Sequence, residues 1–571
     1  IQAGVQYTVR DGSFFQSATD IDYGGGTRNS LLVQERPIEL TTTVSNTLTY
    51  NKSFGKSDLT ALIGEEETNF SYSKFRIQGG DLLNEDVRLA SVANTVSAVN
   101  EADQWALRGF LGRINYTYNE KYLLTINIRK DETSRFSKAH RSGVFPSLSA
   151  GWRIGSESFM KSARFIQDLK IRASIGESGN QFTGSNFAYL SNLQTTIYYP
   201  IGAGQVVMRG LAPVIFANPN LKWETSVQSD IGLDATLFNG KVDVTADYYF
   251  KRTKDVLLSY PLSYSSGYFL PSDVNLGTIE NSGIELALNY RGEAGSFRYT
   301  IGGNITTVSN KVISLGGITE IIGGIGGGQT NRTTVGESLG YFYGYKTDGL
   351  YQNAGDVAKA LPDASSSGTA PGDIRFVDVN GDGKIDASDR TIIGSPIPKF
   401  YYGINLTANY MKFDLSIFLQ GVGKVSVYNA ARGTLEGMNG GNNGSARVLN
   451  RWTGEGSSNN IPRATSSDPN GNNRFSDRWV ENAAYFRVKN IQLGYTISSD
   501  GLKRVTHDFI SSARFYFGVS NLITATKYLG YNPEVTRGSS FQKGEFALAN
   551  GQDSGGSPLP VIMQLGWQIN F

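Results

Sequence analysis

The chain has 571 residues with Lys+Arg 53 against Asp+Glu 51, a formal net charge of +2, which argues against a nucleic-acid binder with a concentrated basic face. Cysteine is absent and His140 and His507 are the only histidines, so disulfides, thiolate metal sites and Cys nucleophiles are excluded, and zinc or His-based catalysis has almost nothing to build on. Charged residues are only 18 %, while Gly (67), Tyr (30) and Phe (30) are plentiful, a composition that needs a cause.

The chain opens on "IQAGVQYTVRDG", without an initiator Met or a signal peptide, and reads as the later part of a longer polypeptide. No apolar run approaches the roughly 18 residues of a membrane-spanning helix. The periodicity is two instead. In "YLLTINIR", Leu124, Ile126 and Ile128 alternate with Thr125, Asn127 and Arg129. In "KVDVTADYYF", Val242, Val244, Ala246, Tyr248 and Phe250 oppose Asp243, Thr245, Asp247 and Tyr249. "FDLSIFLQG" sets Phe413, Leu415, Ile417 and Leu419 against Asp414, Ser416, Phe418 and Gln420. The final "VIMQLGWQINF" sets Val561, Met563, Leu565, Trp567, Ile569 and Phe571 against Gln564, Gln568 and Asn570.

Runs of about ten alternating residues match the length that crosses a bilayer when tilted, longer than the usual sandwich strand of about 5–6. Counting back from Phe571 gives about sixteen strands with connections alternately short and long. The short ones are "NEK" (119–121), "NG" (239–240), "RGEAGS" (291–296) and "MK" (411–412); the long ones are 179–222, 310–400, 422–483 and 523–559. Short turns on one rim and long loops on the other predict an all-β fold, a transmembrane antiparallel β-barrel, with the long loops extracellular. Tyr248, Phe250, Tyr401, Tyr402 and Trp567 then fall where interfacial girdles belong, although cross-strand aromatic packing explains them as well. No helix is strong enough to suggest a helical domain, and "GGIGGG" within 316–330 lacks the Gly-Lys-Ser/Thr of a phosphate cradle.

Within 310–400 lies "DVNGDGKIDASD" (378–389). Asp378, Asn380 and Asp382 occupy positions 1, 3 and 5 of a calcium-loop spacing. Gly383 permits the sharp turn, Lys384 offers a carbonyl at position 7, and Asp386 stands at position 9. Ile385 can anchor the loop in an apolar contact. Position 12 is Asp389, shorter than the bidentate Glu of an EF-hand, and the flanks read as extended, closer to a dockerin loop. The metal expectation is a structural Ca²⁺ on Asp378, Asn380, Asp382, Lys384, Asp386 and Asp389. The competing possibility is an Asx/Gly turn whose carboxylates accept backbone N–H groups.

Several segments are recognisable. "NPNLKWETS" (218–226), "NLGTIENSGIEL" (275–286), "GYFYGYKTDGLYQ" (340–352), "PGDIRFVDVNGDGKIDASDRTIIGSPIPKFYYGINL" (371–406), "YFRVKNIQLGYTI" (485–497) and "NLITATKYLGYNPEV" (521–535) resemble SusC-like (RagA/SusC family) TonB-dependent outer-membrane transporters. "GFLGRINYTYNEKYLLTINIRKD" (109–131) and "FPSLSAGWRI" (145–154) fit the same family. The resemblance implies the C-terminal part of a barrel of about 22 strands in a Bacteroidota-type outer membrane, with a plug domain outside this chain. It also implies a SusD-like surface lipoprotein as lid, TonB as the energy link through the N-terminal region, and a higher-order complex such as a dimer of such pairs. Residues 1–571 depart from the family in lacking the plug and first strands, which a working transporter needs from upstream sequence or another chain.

The function expected is TonB-dependent import of oligosaccharides or oligopeptides, not an enzymatic one. The rivals are a passive outer-membrane porin and a calcium-binding surface or adhesion β-protein. No carboxylate pair is singled out for glycoside hydrolysis. Tyr198, Tyr199, Phe216 and Phe269, in long loops, are able to stack on sugar rings or to form loop cores. Phe571, an aromatic closing the last strand, resembles a barrel-insertion signal.

Overall fold

The computed structural model describes residues 1–19, 29–183, 185–213, 216–260, 265, 267, 272–324, 328–439, 443–497, 509–535 and 550–570. It divides into two compact units: one of residues 1–150, 175–226 and 255–275, the other of 151–174, 227–254 and 276–571.

Eighteen strands belong to one large sheet. In chain order they are β1 (Gln2–Val9), β2 (Gly12–Gln16), β3 (Leu31–Phe54), β4 (Ser57–Leu82), β5 (Ala93–Tyr118), β6 (Tyr122–Thr133), β7 (Ser142–Arg153), β8 (Ile166–Asn180), β9 (Glu224–Leu237), β10 (Val242–Lys254), β11 (Thr278–Ala294), β12 (Phe297–Thr307), β13 (Ser309–Ser314), β14 (Phe400–Tyr410), β15 (Phe413–Gly423), β16 (Tyr485–Ile497), β17 (Ser512–Thr526) and β18 (Ile562–Asn570). β1 and β2 lie end to end along β3, and β12 and β13 share β11 in the same way. Eighteen strands with two collinear pairs make sixteen passes, in agreement with the count from the sequence.

In the first unit the β3–β4 ladder runs unbroken from Leu31↔Gly80 to Phe54↔Ser57. Its two-residue turn is set by Gly55, at φ +59°. β3, β4 and β5 have 24, 26 and 26 residues, more than twice the roughly 9–11 that a bilayer requires. In the second unit the Tyr410↔Phe413 turn is the expected "MK" pair, with Met411 at φ +52°. The "RGEAGS" connection is shorter than expected. Arg291 to Ala294 extend β11 and pair with Phe297 to Thr300, leaving only Gly295 and Ser296 as turn. Polar side chains at the strand end do not stop the backbone from satisfying its N–H and C=O groups across the ladder.

The two faces of each strand are chemically distinct. On β6, Leu124, Ile126 and Ile128 are exposed. Between them Thr125 Oγ1 donates to Asn115 Oδ1 (3.0 Å), Asn127 Nδ2 donates to Ser147 Oγ (3.0 Å), and Arg129 Nε donates to Asp131 Oδ1 (2.7 Å). In the second unit, on β10, Tyr248 is exposed while Asp247 Oδ2 accepts from Arg172 Nη2 (2.7 Å) and Thr245 Oγ1 donates to Asp234 Oδ1 (3.3 Å). On β18, Leu565 is 81 % and Trp567 71 % exposed. Burying such a side chain is worth about 1.5–3 kcal/mol, so this apolar face is built for hydrocarbon, with the polar groups paired on the other side. No helix among the described residues is long and apolar enough to cross a membrane; the strands do the crossing.

Aromatic residues at strand ends divide between two roles. Tyr401 and Trp567 are exposed as a girdle requires. Tyr402 instead lies across the strand over Gly421, where a Cβ would sit 2.1 Å from its Cζ, and Phe400 covers Gly423 likewise. Phe571 lies outside the described residues.

In the first unit a small core gathers Phe136, Phe145, Ala188, Leu221 and Trp223. Trp223 Nε1 donates to Arg141 O (2.8 Å), which satisfies the one polar atom of the ring. "NPNLKWETS" is therefore a structural peg.

Candidate functional site: the acidic loop and its platform

The described parts of three long connections of the second unit, within 315–399, 424–484 and 527–561, carry secondary structure of their own. Glu320–Gly323, Asn331–Thr334, Tyr341–Gly344 and Thr391–Gly394 form a four-stranded sheet. Ser426–Asn429 pairs with Val480–Asn482 and, in parallel, with Gln552 and Asp553. Buried Tyr345, Leu350, Ile374, Phe376 and Ile385 pack together with Trp452. Ile385 thus anchors the acidic loop in an apolar core, as expected, and its backbone bonds to Pro362 and Ala364.

The loop is tightly wound on its own backbone. Asp378 Oδ1 accepts from Gly381 N (2.7 Å) and Oδ2 from Gly383 N (2.8 Å), with Gly381 and Gly383 at φ +76° and +85°. Asn380 Oδ1 accepts from Asp382 N (3.0 Å), and Asp382 Oδ1 from Lys384 N (3.2 Å). Asp386 caps a single 3₁₀ turn through Ser388 N (2.7 Å). Asp389 is fully buried and ties the loop ends, accepting from Val379 N (2.9 Å) and Asp386 N (2.8 Å). The Lys384 Nζ lies 2.6 Å from Asp386 Oδ2 and 3.7 Å from Asp382 Oδ2.

These contacts set the charge states. Backbone N–H bonds, first that of Gly383, hold the Asp378 carboxyl below its usual range. The Lys384 ammonium, followed by the Ser388 N–H, brings Asp386 down to about 2, and Asp386 in turn raises Lys384. Among the described residues no three His, Asp or Glu side chains gather as a metal-holding group. The donor set remains hard oxygen, and each carboxylate oxygen that accepts one N–H keeps a second lone pair, the chemistry a Ca²⁺ ion requires.

Polar clusters stiffen the platform around the loop. Fully buried Asp373 accepts from Arg463 Nε (2.8 Å) and Nη2 (3.1 Å), Asn472 Nδ2 (2.9 Å) and Ala370 N (2.8 Å). Arg432 bridges Glu436 (3.0 Å) and Glu481 (2.5 Å), and its ring neighbour Trp479 is buried. Arg478 stacks 4.4 Å from the Trp479 centroid, and none of its side-chain nitrogens finds a partner among the described residues; burial lowers it to about 10. Burial and the Asp553 carboxylate push the Tyr528 hydroxyl up. Asp373–Arg463, Arg432–Glu481 and Tyr528–Asp553 have no sequence signature, because their partners lie some two dozen or more residues apart, whereas Arg432–Glu436 has the i,i+4 spacing of a helix.

Of the loop aromatics, Tyr198, Tyr199 and Phe216 are exposed in the first unit and build no core. Phe269 lies outside the described residues.

Comparison with known proteins agrees with this architecture. The family model "TonB dependent receptor-like, beta-barrel" matches residues 1–522. The TonB-dependent receptor P3 of Formosa agariphila is 32 % identical over 543 residues, covering 92 % of this chain and 52 % of that protein. The TonB-dependent receptor SusC of Bacteroides thetaiotaomicron is 30 % identical over 499 residues, covering 86 % of this chain and 47 % of that protein. The chain thus spans about half the length of these curated relatives. The fold matches the structure of the RagAB peptide transporter with a TM-score of 0.82 at 22 % identity, over 100 % of this chain and 59 % of that one. The family match along most of the chain, on a sheet with an apolar outer face, settles the assignment: the chain belongs to the TonB-dependent receptor-like β-barrel family, whose members are outer-membrane proteins.

Proposed function

We propose that this chain is the barrel portion of a SusC/RagA-type transporter that imports oligomeric nutrients, oligosaccharide or oligopeptide, across the outer membrane. The observation that carries the reading is the family match over residues 1–522 on a sixteen-pass sheet. Its polar face carries paired charges such as Arg129–Asp131 in one unit and Arg172–Asp247 in the other. The whole importer includes a TonB-coupled N-terminal region and a SusD-like surface lipoprotein seated on the long loops, in a dimer of such pairs. The reading assigns no catalytic residue.

The test is uptake of fluorescent oligosaccharides and oligopeptides by cells with the gene intact, the gene deleted, and TonB deleted. Loss of uptake in both deletions is expected. Uptake that survives without TonB makes the protein a passive porin and overturns energised import.

The acidic loop is proposed to hold a structural Ca²⁺ through Asp378, Asn380, Asp382, the Lys384 carbonyl, Asp386 and Asp389. Its support is the ligand spacing, the hard-oxygen set and the buried Ile385 anchor. Extracellular sites of this kind bind at about 10⁻⁴–10⁻³ M, which external calcium satisfies. Calorimetric titration with Asp378→Ala and Asp382→Ala tests it: calcium heat unchanged in both variants removes the metal from the loop.

A further inference from the structure

The outer face of the first unit turns apolar a second time, above the level that lipid reaches. On β4 the outward positions run Leu59, Ala61 and Ile63, then Glu65, Glu67, Asn69, Ser71 and Ser73, then Phe75 and Ile77. Exposed Ile63 fixes that side as the lipid side: its row continues to Leu48 of β3 and, through Gly112 of β5, to Ile128 of β6, both exposed. Charges begin one step beyond. Glu65 pairs with Arg108 of β5, and Lys130 of β6 with Glu132 at 2.7 Å, so this level already stands outside the hydrocarbon. From Ile63 to Phe75 is twelve residues, about 40 Å of strand and, at a tilt of about 35–45°, about 30 Å of height. Yet Phe75 is 51 % exposed there, with Ala98 of β5 opposite Ile77 and exposed Val96 two residues along. An apolar patch rimmed by polar groups and out of reach of lipid marks a protein contact.

Beside Phe75 the same face is hollow. A groove of about 250 Å³ is lined by Ser13, Gln34, Arg36, Phe75 and Ile77, all on the outward face by register, and by Asp11 next to them. About 150 Å³ holds a benzene ring, so the groove has room for one aromatic side chain. Arg36 Nε lies 3.3 Å from Asp11 Oδ1, and both side chains are mostly in solvent. The patch therefore sets an aromatic knob next to an aromatic-sized hole, and one cation next to one anion. A two-fold interface needs a surface that carries both halves of its own complement, since residue i of one copy meets j of the other and j meets i. Copies in one membrane stand at one height. A two-fold axis along the membrane normal brings the Phe75 ring of each copy level with the groove of the other.

We propose that this outer, extracellular face of β3, β4 and β5 is the contact between two copies of this chain. Phe75 of each copy enters the groove of the other, and Arg36 of each meets Asp11 of the other. Lipid is excluded by height, and a substrate in passage by side, because the patch lies on the wall opposite the paired polar groups such as Arg129–Asp131. This inference rests on the import reading and locates its dimer on the barrel wall.

Cross-linking of the full-length transporter in intact cells tests it. The chain has no cysteine, so Gln34→Cys, Ser73→Cys and Asn100→Cys, each alone, report on this face. A short bis-maleimide is expected to join at least one of them into a band of twice the protein's mass that the wild type does not give. Phe75→Glu added to that variant, checked for folding by heat-modifiable gel mobility, should reduce the band at least tenfold. Arg36→Asp and Asp11→Arg, co-expressed with different tags, should pair with each other at least tenfold more than either pairs with itself, because like charges then face each other only in the self-pairs. The proposal is overturned by no dimer band at any of the three cysteines, by an undiminished band with Phe75→Glu, or by random pairing of the two charge variants. A band of any other mass gives the face to a different protein and overturns it too. Each of those results leaves TonB-dependent uptake, measured separately in cells, standing.

Discussion

Replacing Asp373 by Ala removes a fully enclosed charge of the loop platform and should loosen a defined patch of it. The carboxylate is fully buried and accepts four hydrogen bonds, two from Arg463 and one each from Asn472 Nδ2 and Ala370 N. Breaking a buried ion pair from one side costs about 3–5 kcal/mol. Arg463 keeps 27 % of its side chain in solvent and can turn outward, which puts the expected cost near the lower end, about 3 kcal/mol. Each 1.4 kcal/mol is tenfold, so local opening rises roughly 100-fold. The reporters are the amides of Tyr351, bonded to Asp373 O at 3.0 Å, and Ile374, bonded to Asn472 Oδ1 at 2.8 Å. Hydrogen exchange on the full-length transporter should show both losing protection by about that factor, while amides of the β14–β15 ladder hold. Asp373→Ala/Arg463→Ala should cost less than the sum of the single changes, since neither charge is then stranded. A loss under threefold at both amides would refute the claim that this cluster fixes the platform.

Leu565→Arg puts a charge on the 81 % exposed outer face of β18 and should cost about 2–4 kcal/mol in lipid vesicles; an unchanged urea-unfolding midpoint would mean that Leu565 does not meet hydrocarbon. Trp223→Ala empties the centre of the first unit's core and should cost about 3–5 kcal/mol, read as faster proteolysis of the 134–141 and 181–223 connections at unaltered strand content. Asp386 titrates near 2 instead of its ordinary 3.8, so its contribution is complete above about pH 4 and fades as pH falls toward 2. Exchange protection of Ser388, corrected for intrinsic rates, should decline over that window. In Asp386→Asn the dependence should vanish; its persistence would place the titrating group elsewhere.

The strands were legible because a barrel wall imposes the same rule at every second residue, lipid on one side and paired polar groups on the other. Leu124, Ile126 and Ile128 announce that rule within one short run, and so do Met563, Leu565 and Trp567. "RGEAGS" was misjudged as a loop for a related reason: beyond the apolar band a strand continues on backbone bonds alone, and hydrophobicity no longer marks its end. The excess length of β3, β4 and β5 has the same origin. Tyr402 shows the limit of reading aromatics singly, since its role depends on Gly421 in the next strand.

The acidic loop divides the same way. Its local content was readable: which oxygens lie at which positions, the glycine turns, and the apolar Ile385 anchor. What the loop serves is decided by partners with no fixed spacing, such as Asp363, which pairs with Arg474 at 2.8 Å and bridges to Ile385 across the strand edge. Arg474 in turn lies 4.0 Å from the Phe376 ring in the core that holds Ile385. The loop is thus held from two sides, by Ile385 in the apolar core and by the Asp378, Asp386 and Asp389 carboxylates that accept its backbone N–H groups. The arginines of the platform divide by the same kind of partner. Arg463, Arg432 and Arg474 each meet a carboxylate within their own unit, so their charge is spent on architecture. Arg478 is packed against Trp479 beside them and meets no carboxylate among the described residues.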